Sequence, residues 1–174
     1  MKKLKLIGTS LLAGFLVTPM VQAESTVGGR YVGINFGFYT LEPEATSESA
    51  ELTSVEGRLG GYLNNNTALE ARVGAGFIGD EIGASNVDLT YTVGAYSRVG
   101  LPLENVFPYL IAGFTRAEVS FDNPDVDDSE TDLSYGLGVD LNVFNITVNL
   151  EYMSLVDKNA TDLKGFTVGL TSTF

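Results

Sequence analysis

Glu56, Arg58, Glu70, Arg72, Asp88, Arg98, Asp140 and Glu151 are the residues whose types and spacing could do chemistry. Paired carboxylates can divide the roles of general acid and general base when their surroundings push their protonation apart. Here, however, arginines stand two residues from two of the glutamates. Such a pattern fits buried charges that pair with one another, since an unpaired charge taken out of water is costly. The chain has no His and no Cys. Imidazole and thiolate metal sites, disulfides and every nucleophile served by a histidine base are thereby excluded. The expectation is a charge network with no catalytic residue and no cofactor.

Two further segments carry dense carboxylates, Glu42, Glu44, Glu48 and Glu51 in the first, and Asp122 to Asp132 in the second. Asp125, Asp127, Asp128 and Glu130 are the candidate ligands for a hard cation such as Ca²⁺ or Mg²⁺, which prefers oxygen donors. Their spacing fits no defined ion loop and lacks its turn glycine, so a solvated, mutually repulsive surface is the leading reading. Gly74-Ala75-Gly76-Phe77-Ile78-Gly79 spells a phosphate-loop pattern, but it lies in a strand with no helix after it. Three Asn-x-Thr triplets, at Asn65, Asn145 and Asn159, match the glycosylation pattern, but the first two read as turn residues and are not taken as modification sites.

The elements that would position these charges are strands. The first 23 residues read as a signal peptide: Lys2, Lys3 and Lys5 precede an apolar run from Leu6 to Val17, and Val21 and Ala23 supply the small residues of a cleavage site. Residues 24–174 form one domain. Loss of three lysines and no acids takes the formal charge from -12 to -15, and nucleic acid is not expected as a partner. No later run is long enough for a spanning helix. Alternation with a period of two appears instead, as in Val32, Ile34, Phe36 and Phe38 against Gly33, Asn35, Gly37 and Tyr39, and in the last strand, where Phe166, Val168, Leu170, Ser172 and Phe174 share a face. Eight strands are expected. The fifth, from Tyr109 to Phe121, alternates poorly: either Arg116 and Glu118 point with the apolar residues or a bulge near Thr115 switches the phase.

Nearly every charge falls on the face that carries the glycines, among them most of the 20 in the chain. A cramped barrel interior explains this, because glycine makes room there for Arg and Tyr, while the apolar face meets lipid. Asn64 to Thr67, Leu101 to Pro108 and Phe144-Asn145 read as short turns at one end. Glu42 to Thr53, Gly79 to Asn86, Asp122 to Asp132 and Asp157 to Lys164 read as longer loops at the other. Aromatic residues are expected in two outer belts, with Phe38, Phe77, Tyr91, Tyr135, Tyr152 and Phe166 at the loop end and Phe107, Tyr109, Phe144 and Phe174 at the turn end.

Phe107-Pro108-Tyr109-Leu110-Ile111-Ala112-Gly113-Phe114, Tyr135-Gly136-Leu137-Gly138-Val139, Leu150-Glu151-Tyr152 and the terminal strand ending in Phe174 give the mature chain a likeness to a known family. It resembles the small eight-stranded outer-membrane barrels of Gram-negative bacteria that include OmpX, the transmembrane part of OmpA and the opacity-type, porin-like proteins. The resemblance implies an all-β, antiparallel, up-and-down transmembrane barrel. It implies that Gly169, Leu170 and Phe174 form the signal read by the outer-membrane assembly machinery, although Ser172 replaces the usual aromatic or aliphatic residue. It also implies contact with outer-membrane lipid and lipopolysaccharide, a monomer, and both chain ends in the periplasm. Enzymes built on similar barrels depend on a histidine that this chain lacks.

Two function classes follow. One is a structural cell-envelope protein or very small channel with a side-chain-filled lumen and acidic surface loops. The other is a loop-mediated adhesion or surface-ligand protein. A soluble lipocalin-like carrier is the rival fold, and it would require the apolar faces inside.

Overall fold

Alternation of apolar and polar residues is realised as strands throughout the computed structural model, which describes residues 28–43, 49–78, 80–82, 85–122, 125–158 and 161–174. The strands are β1 (Arg30–Pro43), β2 (Ala50–Tyr62), β3 (Thr67–Ile78), β4 (Asp80–Ile82), β5 (Ser85–Gly100), β6 (Val106–Asp122), β7 (Asp125–Val143), β8 (Ile146–Lys158) and β9 (Thr161–Thr173). Each long strand pairs antiparallel with its neighbours in sequence, β9 pairs with β1, and β3 pairs with β5. Eight long strands thus close into an up-and-down barrel with no free edge. The short β4 adds only a three-residue pairing to the start of β5.

The inside and outside of this barrel are opposite to those of a soluble one. Leu110 is 68% exposed, whereas Arg58 is 2% exposed and Arg98 1%. Outward positions through the middle of the barrel carry Ile34, Phe36, Leu59, Val73, Val93, Leu137 and Val168, all exposed. A lipocalin-like carrier would place these inside, so that alternative is set aside.

Above the charged interior the pattern inverts. Leu41, Ala50, Leu52, Leu89, Ala117, Leu155 and Leu163 are buried inside the barrel at its loop end, where Leu41 stands opposite both Ala50 and Leu163. Glu51, Asp88, Thr90 and Arg116 point outward at this level. The barrel wall therefore continues past the apolar outer band as an ordinary water-facing sheet with a greasy core.

Two sequence expectations change here, and one that was left open is decided. The longer loops are shorter, because β6 runs to Asp122 and β7 begins at Asp125, and β8 and β9 likewise approach within a few residues. Backbone pairing persists where the outer face has turned polar, and there the apolar alternation that marks a membrane strand is gone. The fifth long strand, β6, keeps one phase: Leu110, Ala112, Phe114 and Arg116 all point outward, and its pairing with β7 shows no shift. The bulge sits in β5 instead, where the register slips between Leu89 and Tyr91 and leaves Thr90 unopposed. Finally, Phe107 and Tyr109 are buried in the lumen and do not join an outer belt.

At the opposite end the connections are tight. Leu63 N–H donates to Thr67 O at 2.9 Å, and Leu103 N–H to Val106 O at 3.0 Å. Phe144 turns the two-residue β7–β8 hairpin at φ 56°, a left-handed conformation that usually goes to glycine.

Candidate functional site

Network positions are supplied by β1, β2, β3, β5, β6, β7 and β8, whose inward faces carry Tyr31 and Tyr39, Glu56 and Arg58, Glu70 and Arg72, Arg98, Tyr109, Asp140, and Asn149 and Glu151. The sheet is curved tightly enough that these long side chains meet at the axis, and glycines are what let them lie flat. A Cβ on Gly138 would stand 2.6 Å from Cζ of Tyr109, and one on Gly60 would collide with the Tyr31 ring.

The charges join into one connected network. Arg58 Nη2 lies 2.7 Å from Glu70 Oε2, and Arg58 Nη1 3.3 Å from Glu151 Oε1. Arg72 Nη1 lies 2.7 Å from Glu151 Oε2, Arg72 Nη2 donates to Oε1 at 2.9 Å, and Arg72 Nε pairs with Glu70. Arg98 bridges the far side: it pairs with Asp140 and approaches Glu70 at 3.4 Å. Tyrosine hydroxyls complete the shell. Tyr31 donates to Glu70 at 2.7 Å, Tyr39 to Glu56 at 2.8 Å, and Tyr109 to Glu151. Asn149 donates to Asp140 at 2.6 Å.

Two caps close this layer. Toward the turns, Tyr31, Tyr62, Phe107 and Tyr109 form a chain of ring contacts with centroids 5.4, 6.3 and 5.9 Å apart. Toward the loops, Tyr96, Thr115 and Ser134 form a hydroxyl relay that ends on Leu155 O, and the aliphatic tier lies beyond it. Buried ions in such a place gain from mutual pairing but cost much to expose singly. Chemically the arrangement is suited to rigidity: the carboxylates already accept from arginines or phenols.

A family model described as outer membrane protein beta-barrel domain matches residues 9–174. The chain belongs to this family. Among solved structures, Ail, the attachment invasion locus protein of Yersinia pestis, is similar at a TM-score of 0.63 and 17% identity, over 85% of this chain and 99% of that one. Neisserial surface protein A is similar at 0.64 and 18%, over 83% and 97%. OprG of Pseudomonas aeruginosa is similar at 0.52 and 12%, over 86% and 98%. No curated protein matches. This is an integral outer-membrane barrel, and its exposed apolar band faces lipid.

In this outer-membrane barrel the structure brings Glu56, Arg58, Glu70, Arg72, Arg98, Asp140 and Glu151 together inside the lumen. Asp88 is a correction. It is exposed on the outer face, because the slip at Thr90 reverses the phase of β5 and turns Leu89 inward in its place. Arg116 is exposed on the outside as well. Gly169 faces inward against Asn35, while Leu170 and Phe174 are exposed on the outer side. Asp125, Asp127, Asp128 and Glu130 lie on the backbone of β7, but their side chains fall outside the described residues, as do Val21 and Ala23 altogether. Among the described residues no group of three or more acids could hold a metal ion.

Sequence reasoning missed the phenols as members of the network. Tyr31 and Tyr109 share strand parity with their inward glycine and asparagine neighbours, and that shared parity was the available signal. The aliphatic tier was missed because Leu52 and Leu163 lie in stretches rich in Glu and Asp that read as loops.

Proposed function

We propose that this outer-membrane protein is a non-conducting structural barrel of the cell envelope, with an ionic lumen that acts as a rigid strut. The observation that carries this reading is Glu151, which receives Arg58, Arg72 and the Tyr109 hydroxyl at once and so ties β2, β3 and β6 to β8 across the axis. A lumen spanned in this way leaves no continuous water column, and its closed ends agree. The barrel acts without catalysis and without a cofactor. It works as a monomer, is exported after cleavage behind Ala23, and is inserted through the terminal strand that carries Gly169, Leu170 and Phe174. Both termini and the short turns face the periplasm, while the long hairpins reach past the lipopolysaccharide layer. Planar-bilayer recording tests the reading: the protein is expected to show no steady conductance, and a stable ohmic channel would refute it.

A second reading is favoured by the length of the loop-side hairpins. β6 and β7 have 17 and 19 residues, well beyond the 9–11 needed to cross a bilayer, and so present a platform for surface ligands or host contact. Ail has been solved with the heparin analogue sucrose octasulfate, a polyanion. The carboxylates between Asp122 and Asp132 would repel such a ligand, so adhesion through this platform would take a cationic or divalent-bridged partner, including lipopolysaccharide phosphates held through Ca²⁺ at Asp125, Asp127, Asp128 and Glu130. Whole-cell adhesion with and without the β6–β7 hairpin tip separates the two readings. Unchanged adhesion removes the second.

A further inference from the structure

Glycine within a strand gives up packing and costs conformational entropy, so it needs a reason. Nearly all the strand glycines described here have one, since a Cβ would come closer than 3.0 Å to a neighbouring atom. Gly57 and Gly61 are the exceptions among them. A Cβ on Gly57 would meet nothing nearer than Val73 O at 3.9 Å, and one on Gly61 nothing nearer than Gly29 O at 3.8 Å. Both lie on the lipid face of β2, and the barrel itself has no need of either.

Each borders a groove in that face. The first, of about 810 Å³, runs over Gly57 between Ile34 and Leu170 on one side and Val73 on the other. The second, of about 600 Å³, runs over Gly61 between Leu69 and Phe174. They adjoin, sharing Leu59 and Ala71 as the ridge between them. The second groove ends at Arg30, which stands directly opposite Gly61 in the β1–β2 register and is exposed on the outer face at the turn end of the barrel. No ion pair of Arg30 occurs among the described residues.

We propose that this face binds one diacyl phospholipid, with its two acyl chains in the two grooves and its phosphate against Arg30. The grooves are continuous with the lipid-facing band, so an acyl chain reaches them without leaving the bilayer. Their apolar walls favour hydrocarbon, and a guanidinium at the interface is matched to a phosphate in charge and in hydrogen-bond geometry. Two adjoining chain-sized grooves, the second of which ends at a cation, fit a lipid with two tails and one anionic head. The site is built from the lipid-facing surface. It rests on the proposed orientation, with the turn end in the phospholipid leaflet, and does not depend on the closed lumen.

Native mass spectrometry of the folded protein in nonionic detergent, titrated with dioleoyl phosphatidylglycerol, tests this. Wild type is expected to retain a single lipid. Gly57→Leu with Gly61→Leu fills both grooves and should weaken binding at least tenfold, whereas Leu137→Ala, on the opposite face, should leave it unchanged. Arg30→Gln should weaken phosphatidylglycerol about tenfold and leave dioleoylglycerol, which has no phosphate, as it was. Should the double leucine variant not fold, Gly57→Ala with Gly61→Ala, for which the barrel has room, should weaken binding about threefold. Equal retention of phosphatidylglycerol by wild type and by the folded groove variant would overturn the proposal.

Discussion

The guanidinium carbon of Arg98 lies 3.8 Å from the centre of the Tyr109 ring, and the same guanidinium pairs with Asp140. Arg98 therefore satisfies a carboxylate and covers an aromatic face in one position, while the Tyr109 hydroxyl commits to Glu151. Removing Arg98 leaves Asp140 buried with Asn149 as its one partner among the described residues.

Arg98→Ala should therefore lower unfolding stability by about 3–5 kcal/mol, the cost of orphaning one member of a buried ion pair. Urea unfolding in lipid vesicles measures it. In a cycle with Asp140→Ala the double variant should lose less than the sum of the single variants. An unchanged midpoint would show that the pair is not buried as described.

Gly138 lies beneath the Tyr109 ring, where a Cβ would come within 2.6 Å of it. Gly138→Val should cost about 1–3 kcal/mol through overpacking. In a Tyr109→Ala background, where the ring is gone, the same substitution should cost less. Equal costs in both backgrounds would remove the steric account.

Leu163 is buried with Leu41, Leu52 and Leu155 at the loop end. Leu163→Ala should cost about 2–5 kcal/mol, as for a large-to-small change in a packed core. If this stretch were a solvated loop, the cost would be close to zero, so thermal or urea unfolding decides between the two.

The absence of cysteine makes the level of the membrane easy to map. Single-cysteine variants at Glu51 and Asp88 in intact vesicles should react quickly with a membrane-impermeant maleimide added to the loop side. Variants at Phe36 and Val93, in the apolar band, should react at least tenfold more slowly. Equal rates at Asp88 and Val93 would contradict the phase reversal in β5.

Most of the barrel was legible in the sequence because period-two alternation is a local property: Val32 to Phe38 and Ile146 to Tyr152 carry it without help from neighbours. The ionic lumen was legible for the same reason, since Arg58 and Arg72 share parity with glycines. Asp88 was misplaced because a bulge is defined by the partner strand, and nothing within Val87-Asp88-Leu89-Thr90 shows that Thr90 will be skipped. Phe107 and Tyr109 were assigned to an outer belt because an aromatic residue suits either an interface or a lumen. The parity of β6 was obscured by Arg116 on its outer face. The inverted tier was hidden because a strand that has left the membrane looks, residue by residue, like a polar loop.

Single-channel recording of the purified protein in a planar bilayer tests the closed ionic lumen most directly. The account predicts no steady conductance from wild type, and intermittent leak current once Arg72→Ala removes the bridge from β3 to Glu151. A steady ohmic current from wild type, insensitive to substitution at Arg58, Arg72 or Arg98, would contradict it.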